Sequence, residues 1–390
     1  MTGTIRLAIV SGLLHHTQGG PATVIHRQFR SLRSVLEVTV LGVASPQQQE
    51  EVRQLLPGSQ LFAPAWPKRW FRGAGLTAAL WRTLPDCDVV HAHMLWDHPV
   101  WAAWRVARAL RKPLIITPHG SLMEPWRYQS WHKRLYRLLL LERMLRSTAF
   151  LHVLSQQEAE ACRRAAVPTP IRVVPNGLEA EAFQHPGSAE AAVLRWPRLA
   201  GKRILLYLGR LWEEKGVGDL QTAWANLCHS ECAADWHLVL AGPDYRGYQQ
   251  HLLRQQALLG IQERVSLPGV VTGRALADLF ALASGFVLPS HSEGLSSALL
   301  EAMAVGLPAV YTQGCHFPLL AHHAGGIEVP CGTLGLQAGL CRLLQMDDSG
   351  RRHMGHQAKQ LAQRDFTMER VSAALCALYR EALQPPVAAP

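Results

Sequence analysis

Residues 291–308 read HSEGLSSALLEAMAVGLP, the most informative stretch of the chain. The apolar run from Ala281 to Leu288 precedes it and predicts a buried strand that Pro289 closes. A helix capped by Ser296 or Ser297 is predicted to follow, and Gly-Leu-Pro ends it. A strand, a polar turn and a helix form the unit that carries ligand sites at the carboxyl edge of a parallel sheet.

Two carboxylates, Glu293 and Glu301, lie on either side of the start of this predicted helix. Glu293 is placed in the turn, and Glu301 lies ~7 Å further along the helix at about 1.5 Å rise per residue. Because helix N-termini attract anions, the pair could hold an elongated ligand with phosphates in its middle and hydroxyls at both ends. A nucleotide-sugar has this shape. The same pair could instead act as acid and base, as carboxylate pairs do in glycoside hydrolases.

Short apolar strands alternate with longer helical segments along the whole chain, which predicts two doubly wound parallel sheets. Strands are predicted at Arg6–Val10, Glu37–Gly42, Val89–Ala92, Leu114–Thr117, Ala149–Leu154, Arg172–Val174, Arg203–Leu208, Trp236–Ala241, Val265–Leu267, Gly285–Leu288 and Pro308–Tyr311. Helices are predicted at Ala22–Leu36, Pro99–Leu110, Trp131–Ser147, Gln156–Ala165, Gly218–Cys228, Gln249–Leu259, Arg274–Leu282, Ser297–Val305 and Phe366–Leu383. Pro and Gly concentrate at 175–200, so we expect one domain over 1–180 and a second over 181–365.

The positive charge of the chain lies in its first half. Residues 1–180 hold 22 Lys and Arg against 11 Asp and Glu, whereas the remainder holds 17 against 18. This excess predicts a negatively charged partner such as phosphate groups or an anionic membrane surface, or else a plain solvated basic surface. Nucleic acid is not favoured, because the chain has no zinc-finger spacing and no RNA-binding signature.

The cysteines and the N-terminus predict a protein on the cytoplasmic side, either soluble or peripheral on the inner face of the membrane. The eight cysteines show no paired CxxC spacing and are expected to be buried, reduced thiols. The first residues lack the basic region and apolar stretch of a signal peptide. No segment reaches the ~20 apolar residues that a membrane-spanning helix needs.

Three loops that follow predicted strands carry further candidates. Gly19 and Gly20 precede Pro21 at a helix start, where backbone N–H groups can approach a phosphate. His119 follows the strand Leu114–Thr117, although a lone loop histidine is more often structural. Arg210 and Lys215 follow the strand Arg203–Leu208 as two cations suited to a diphosphate leaving group.

Two metal-like patterns are judged unlikely to bind metal. Asp86-Cys87-Asp88 has the DxD form of metal-dependent sugar transferases, but it precedes a strand and so lies at the amino edge of the sheet. His91 and His93 share one face of a strand near Asp97 and His98 but lack a supporting ligand motif, so core or loop histidines are expected.

The stretches VVPNGLEAEAF, YLGRLWEEKGV, LAGPD and SEGLSSALLEAMAVGLPAV, together with these loops, closely resemble glycosyltransferase family 4. That family consists of retaining enzymes of the GT-B fold, with two Rossmann-like domains facing across a cleft. The resemblance covers essentially the whole chain. It implies an acceptor-binding first domain, a donor-binding second domain, and a C-terminal helix near 366–385 that packs back onto the first domain.

The resemblance also implies a role for each candidate residue. Glu301 would hold the ribose hydroxyls of a UDP- or GDP-sugar, and backbone near Val270 would meet the base. Arg210 and Lys215, with Gly19 and Gly20, would neutralise the departing diphosphate, and no metal would be needed. His119 would touch the donor sugar near the reacting carbon. The residues expected to hold that sugar are Glu293, Gly294, Leu295 and Ser296.

Leu295 and the Ser296-Ser297 step depart from the usual family pattern, so contacts to the donor sugar are expected to differ. The stretches PHGSLMEPW and CHFP look closest to members that assemble exopolysaccharide and lipopolysaccharide, whose acceptors are often polyprenyl-diphosphate-linked saccharides. The segment Trp131–Ser147 is expected to be either a membrane-surface helix or a domain-packing helix. An epimerase or hydrolase on the same fold, and a non-catalytic nucleotide-sugar-binding protein, remain as alternatives.

Overall fold

The computed structural model describes residues 4–15, 18–123, 136, 140–184, 187–228 and 230–384. Within these residues the chain divides into two compact units. The first comprises the residues up to Gly177 together with those from Met368 onward, and the second runs from Leu178 to Thr367.

The first unit is built on a seven-stranded parallel sheet in the order β3-β2-β1-β4-β5-β6-β7. Most of its strands are buried on both faces, as expected when helices cover a parallel sheet on two sides. The strands are β1 (Arg6–Ser11), β2 (Glu37–Val43), β3 (Gln60–Phe62), β4 (Val89–His93), β5 (Leu114–Thr117), β6 (Phe150–Val153) and β7 (Ile171–Val173).

Helices cover both faces of this sheet. They are α1 (Gly20–Leu32), α2 (Pro46–Leu55), α3 (Leu76–Thr83), α4 (His98–Ala109), α5 (Glu142–Arg146), α6 (Gln156–Arg164) and the C-terminal helix, here α16 (Met368–Ala382). Leu375 and Tyr379 of α16 are fully buried in a cluster with Ile25 and Phe29 of α1. Ser31 and Ser372 join the same two helices by a 2.6 Å hydrogen bond between their hydroxyls.

The second unit has a six-stranded parallel sheet in the order β10-β9-β8-β11-β12-β13. Its strands are β8 (Arg203–Leu208), β9 (Trp236–Ala241), β10 (Val265–Gly269), β11 (Ala283–Leu288), β12 (Ala309–Thr312) and β13 (Gly326–Val329). Its helices are α7 (Glu181–Gln184), α8 (Ala189–Arg195), α9 (Val217–Cys228), α10 (Tyr248–Leu259), α11 (Gly273–Leu282), α12 (Ser297–Ala304), α13 (Pro318–His322), α14 (Thr333–Gln345) and α15 (Asp348–Asp365). Trp224, Tyr207 and Phe286 are fully buried in this unit.

The structure confirms the two doubly wound sheets and corrects several elements. Strands β3 and β13 and helices α2, α3, α7, α8, α13, α14 and α15 were not predicted. Helix α1 begins two residues earlier than predicted, because Gly19 caps it and Pro21 occupies its first turn. The C-terminal helix begins at Met368 rather than Phe366, because Phe366 ends α15 and its carbonyl accepts a hydrogen bond from Leu178 N–H. Most of the predicted helix over 131–147 lies outside the described residues.

Candidate functional site

Glycines let the loops at the carboxyl edge of the second sheet approach one another closely. A Cβ on Gly216, which follows β8, would lie 2.0 Å from the carbonyl oxygen of Pro289 after β11. A Cβ on Gly242 would lie 1.9 Å from the carbonyl oxygen of Gly209, and one on Gly314 would lie 2.4 Å from that of Ser290. Only glycine fits such approaches, so these glycines fix the loops that carry the candidate residues.

Lys215 and Glu293 form an ion pair at this edge. Lys215 Nζ lies 2.6 Å from Glu293 Oε1, and the two side chains are only 15% and 16% exposed. Ser290 Oγ donates a second hydrogen bond to the same Oε1 at 2.8 Å. Among the described residues Oε2 of Glu293 has no hydrogen-bond partner, so this oxygen can accept a hydrogen bond from a ligand hydroxyl. The backbone of Glu293 is fixed as well, because its N–H donates to the carbonyl of Gly314 at 2.8 Å.

Arg210 is held in the neighbouring loop through its backbone. The buried hydroxyl of Tyr207 donates to the carbonyl oxygen of Arg210 at 2.8 Å. The Arg210 guanidinium lies 5.3 Å from the centre of the Tyr245 ring, a distance suited to a cation–π contact. The loop after β8 therefore presents two cations, Arg210 and Lys215, on a backbone that a buried tyrosine and a glycine fix in place.

Helix α12 begins directly beyond Glu293 and Gly294. Ser296 caps it by accepting a hydrogen bond from Leu299 N–H at 3.4 Å, which settles the choice between the two predicted caps. Leu295 is buried beneath this turn, and Glu301 lies half-buried inside the helix. Val270 follows β10 at the same edge of the sheet and is 52% exposed. These residues are thus carried by loops and a helix start at one sheet edge.

The glycine pair and His119 belong to the first unit. Gly19 (φ 94°) is the N-cap of α1, and a Cβ on Gly20 would meet nothing within 4 Å. No acidic residue lies in the first turn of α1, so no carboxylate of that turn neutralises its N–H groups or the positive end of its dipole. His119 follows β5, with its backbone in the left-handed region at φ 51°.

A chain of hydrogen bonds runs through the histidines beneath His119, and its direction can be derived. His152 Nε2 lies 2.8 Å from the carbonyl oxygen of Val174, which only accepts, so Nε2 carries the proton. Burial lowers the pKa of His152 to about 4, so the ring is neutral and its Nδ1 accepts from Thr117 Oγ1 at 2.7 Å. Thr117 Oγ1 then accepts from His91 Nε2 at 2.7 Å, and His91 Nδ1 accepts from Tyr379 at 2.9 Å.

The histidines on β4 are therefore buried core residues with hydrogen-bond partners. Among the residues that the structure describes, no three His, Cys, Asp or Glu side chains could share a metal ion. Asp88 of the DxD pattern lies at the amino edge of the first sheet. It accepts hydrogen bonds from the backbone N–H of Arg6 at 2.9 Å and from its guanidinium at 2.8 Å. Arg6 also lowers the pKa of Asp88 through this hydrogen bond.

Three contributors at these sites were not found from the sequence. Ser290 holds Glu293, Glu158 accepts from the backbone N–H of Gly120 at 2.6 Å, and His93 contacts His119. Ser290 directly follows Pro289 at the end of a predicted strand, and this position at the carboxyl edge of the sheet could have marked it as a candidate site residue. For Glu158 and His93 the sequence holds no such signal, because their partners lie 38 and 26 residues away in the chain.

Solved structures show which fold the two units have, and sequence profiles show the family. The crystal structure of Anabaena HepE in complex with UDP and glucose superposes with a TM-score of 0.80, covering 96% of this chain and 99% of HepE at 18% identity. The two doubly wound units thus have the fold of the GT-B glycosyltransferases. The sequence profile of Glycosyltransferase Family 4 matches residues 18–182, and that of Glycosyl transferases group 1 matches residues 202–346. The chain belongs to this family of glycosyltransferases.

Two curated relatives are similar in sequence to part of this chain. A GDP-mannose:cellobiosyl-diphosphopolyprenol alpha-mannosyltransferase of Xanthomonas campestris is 26% identical over 62% of this chain. O-antigen chain mannosyltransferase B of Escherichia coli is 32% identical over 46% of it. The chain spans 60% and 48% of the lengths of these two relatives.

Of the helices that the structure describes, none combines the length and apolarity needed to cross a bilayer.

Proposed function

We propose that this chain is a retaining glycosyltransferase that moves a sugar from a nucleotide-diphospho-sugar to a lipid-linked saccharide. The observation that carries the proposal is the cluster of Lys215, Glu293 and Ser290, with Arg210 in the adjoining loop at the carboxyl edge of the second sheet. Two cations fixed on glycine-held loops suit a diphosphate that gains charge as it leaves. The open Oε2 of Glu293 suits a hydroxyl of the transferred sugar.

The chemistry follows from these roles. The bond between the anomeric carbon and the diphosphate oxygen breaks, and the acceptor oxygen bonds to that carbon on the same face. The acceptor proton passes to the departing phosphate oxygen, so no protein base is required. Lys215 and Arg210, with the N-terminus of α12, stabilise the charge on the leaving group, a role that a metal ion has in other transferases. Glu301 and the backbone near Val270 are proposed to hold the nucleoside.

GDP-mannose is the first donor to test, because both curated relatives are mannosyltransferases by name. GDP-mannose carries its sugar in the α configuration, and the Xanthomonas relative is named an alpha-mannosyltransferase, so that pairing retains configuration. The same name contains a diphosphopolyprenol acceptor, which fits the basic first half of this chain. UDP-glucose is the second donor to test, because HepE was crystallised with it.

The test begins with thermal unfolding of the full chain in the presence of GDP-mannose, UDP-glucose, GDP or UDP. A matched donor at 100 times its Kd stabilises by about 2.7 kcal/mol and raises the melting temperature. The stabilising donor is then offered with polyprenyl-diphosphate-linked saccharides, with and without EDTA. Transfer that gives an α-linked product and resists EDTA is expected. A β-linked product, or a requirement for metal, would contradict the mechanism.

The same assay separates the alternatives. Consumption of donor in buffer without any acceptor would indicate a hydrolase or an epimerase. Tight donor binding with no product from any acceptor would indicate a nucleotide-sugar-binding protein.

We also propose that helix α4 contributes to binding an anionic membrane or lipid headgroup. Arg105 and Arg108 are exposed on α4, and their guanidinium groups lie 4.8 and 5.8 Å from the rings of Trp101 and Trp104. These four residues line one cavity of about 430 Å³. Aromatic and basic side chains together suit the interface of an anionic bilayer. Co-sedimentation with phosphatidylglycerol vesicles that falls as salt rises is expected, and absence of binding at low salt would contradict it.

A further inference from the structure

The loop that carries His119 is fixed from below by a buried carboxylate. His119 and Gly120 both have positive φ angles, 51° and 76°, so the turn is strained at the histidine. Glu158 is fully buried, and its two oxygens accept from the N–H groups of Gly120 at 2.6 Å and Leu154 at 2.8 Å. These two hydrogen bonds hold the peptide that follows His119 against the end of β6.

The imidazole of His119 is held separately, by a second histidine. His93 Nδ1 lies 3.0 Å from His119 Nε2, and the two ring planes are inclined by 29° with centroids 5.3 Å apart. His93 is fully buried, whereas His119 is half-buried. Among the described residues, the other nitrogen of His93, Nε2, is buried without a hydrogen-bond partner. Across the described part of the chain, Nδ1 of His119 has no partner either.

Both rings are neutral, so each ring carries one proton. Only one of the two facing nitrogens, Nδ1 of His93 or Nε2 of His119, is protonated. Burial lowers the pKa of His119 to about 3, and it lowers the pKa of His93 well below its usual value. Two arrangements are then possible. If His119 donates, the proton of His93 lies on its buried Nε2 and has no acceptor. If His93 donates, that Nε2 is a bare acceptor. Among buried backbone groups an orphaned N–H is rarer than an under-satisfied acceptor, and the same preference applied to this ring favours the second arrangement.

We propose that His93 is a positioning residue that donates from Nδ1 to His119 Nε2 and thereby fixes His119 as the tautomer protonated on Nδ1. His119 is then an uncharged hydrogen-bond donor whose N–H lies on the half-exposed ring. A neutral donor of this kind suits a sugar hydroxyl or ring oxygen, and it adds no charge beside a reacting carbon that becomes positive. The contact to a sugar rests on the proposed function, whereas the tautomer does not.

The tautomer can be measured directly on the full chain. In a protein labelled with ¹⁵N-histidine, long-range ¹H–¹⁵N spectra distinguish a protonated from a bare ring nitrogen. The signals of His119 are identified by their loss in His119→Gln. We expect Nδ1 of His119 to be protonated and Nε2 to be bare at pH 7. A protonated Nε2 in the unmodified protein would overturn the proposal, whatever the activity of the enzyme.

A matched pair of variants tests the positioning role. His93→Asn keeps an N–H donor near the place of Nδ1, and His93→Leu has nearly the same shape without one. We expect Asn to keep the tautomer and to keep kcat within about threefold, and Leu to give a mixture of tautomers with kcat lowered about five- to tenfold, the range of one neutral hydrogen bond. KM for GDP-mannose or UDP-glucose should change less than kcat in both variants.

Two results would contradict the positioning role. One is a Leu variant whose tautomer and kcat equal those of the parent, and the other is an equal loss of kcat in Asn and Leu. Unfolding midpoints for both variants separate these results from a loss of fold. If the parent transfers no sugar at all, the proposed function fails, but the spectra still decide the tautomer.

Discussion

Replacing Lys215 by methionine removes one positive charge from the carboxyl edge of the second sheet and keeps most of the side-chain volume. The charge lies 2.6 Å from Glu293 Oε1 on a side chain that is only 15% exposed. Two unit charges 4 Å apart at an effective dielectric constant of 20 interact by about 4 kcal/mol. The site is partly exposed to solvent, which weakens this attraction for a diphosphate, so we expect Lys215→Met to cost about 3 kcal/mol in the transition state, or about a hundredfold in kcat.

Donor binding should fall less than kcat, because the negative charge that Lys215 stabilises grows on the diphosphate as the sugar departs. The assay is the steady-state rate of transfer, together with the donor-induced shift in melting temperature. Lys202→Met is the matched control, since Lys202 precedes β8 at the opposite, amino edge of the same sheet. Lys202→Met should leave kcat unchanged. An equal effect of the two substitutions on kcat would refute the reasoning.

A double-mutant cycle that combines Lys215→Met with Glu293→Gln tests the ion pair itself. The amide oxygen introduced by Glu293→Gln would still accept from Lys215 and Ser290 but would carry no charge. We expect the two single variants to be non-additive by about 0.5–3 kcal/mol in unfolding free energy, the range for groups in contact. Additive effects on unfolding would mean that the 2.6 Å contact contributes nothing to stability.

Three further outcomes are expected. Glu301→Gln should reduce the melting shift produced by GDP or UDP by more than half, and an unchanged shift would remove its role at the nucleoside. Gly216→Ala should destabilise the protein and lower transfer, because its Cβ would lie 2.0 Å from the carbonyl oxygen of Pro289. Gly260→Ala, at a similar φ of 68° but with nothing within 4 Å, should cost only the ~1–2 kcal/mol of the left-handed backbone, and equal losses would contradict the close approach. In the folded protein the pKa of His152 is about 4, against 6.5 when unfolded, so the free energy of unfolding should fall by up to about 3 kcal/mol as the pH drops from 6.5 to 4. His152→Gln should weaken this dependence of stability on pH, measured by urea unfolding at a series of pH values.

Strong local patterns made most of the fold predictable. Strands β8 and β9 have the predicted bounds, because each is a six-residue run of mostly apolar residues ended by a glycine. Strand β3 was not predicted because it has only three residues, all half-buried, at the edge of the sheet. Helix α2 was not predicted because its sequence, PQQQEEVRQL, is polar throughout and buries only Val52. The pattern of apolar residues does not predict an element that is very short, or one that buries few of its own side chains in the core.

The candidate site was predictable by residue type but not by pairing. Arg210, Lys215, Glu293 and Glu301 stand out because charged residues follow apolar strands. The sequence does not show that Lys215 bonds to Glu293, because 78 residues separate them and three glycine contacts between loops bring them together. Nor does it show that His93 meets His119, since that contact depends on the parallel pairing of β4 with β5.

The ion pair explains how a carboxylate can stand beside an anionic donor. A lone Glu293 within 4 Å of a diphosphate would repel it by about 4 kcal/mol at an effective dielectric constant of 20. Lys215, bonded to Oε1, cancels that repulsion while leaving Oε2 open to a sugar hydroxyl. Glu293 is therefore better suited to hold the sugar than to act as the acid or base of a hydrolase, where each of the two carboxyl groups must face the bond that breaks. In the proposed mechanism, the cation that assists the leaving group is thus also the one that makes the adjacent carboxylate compatible with the donor.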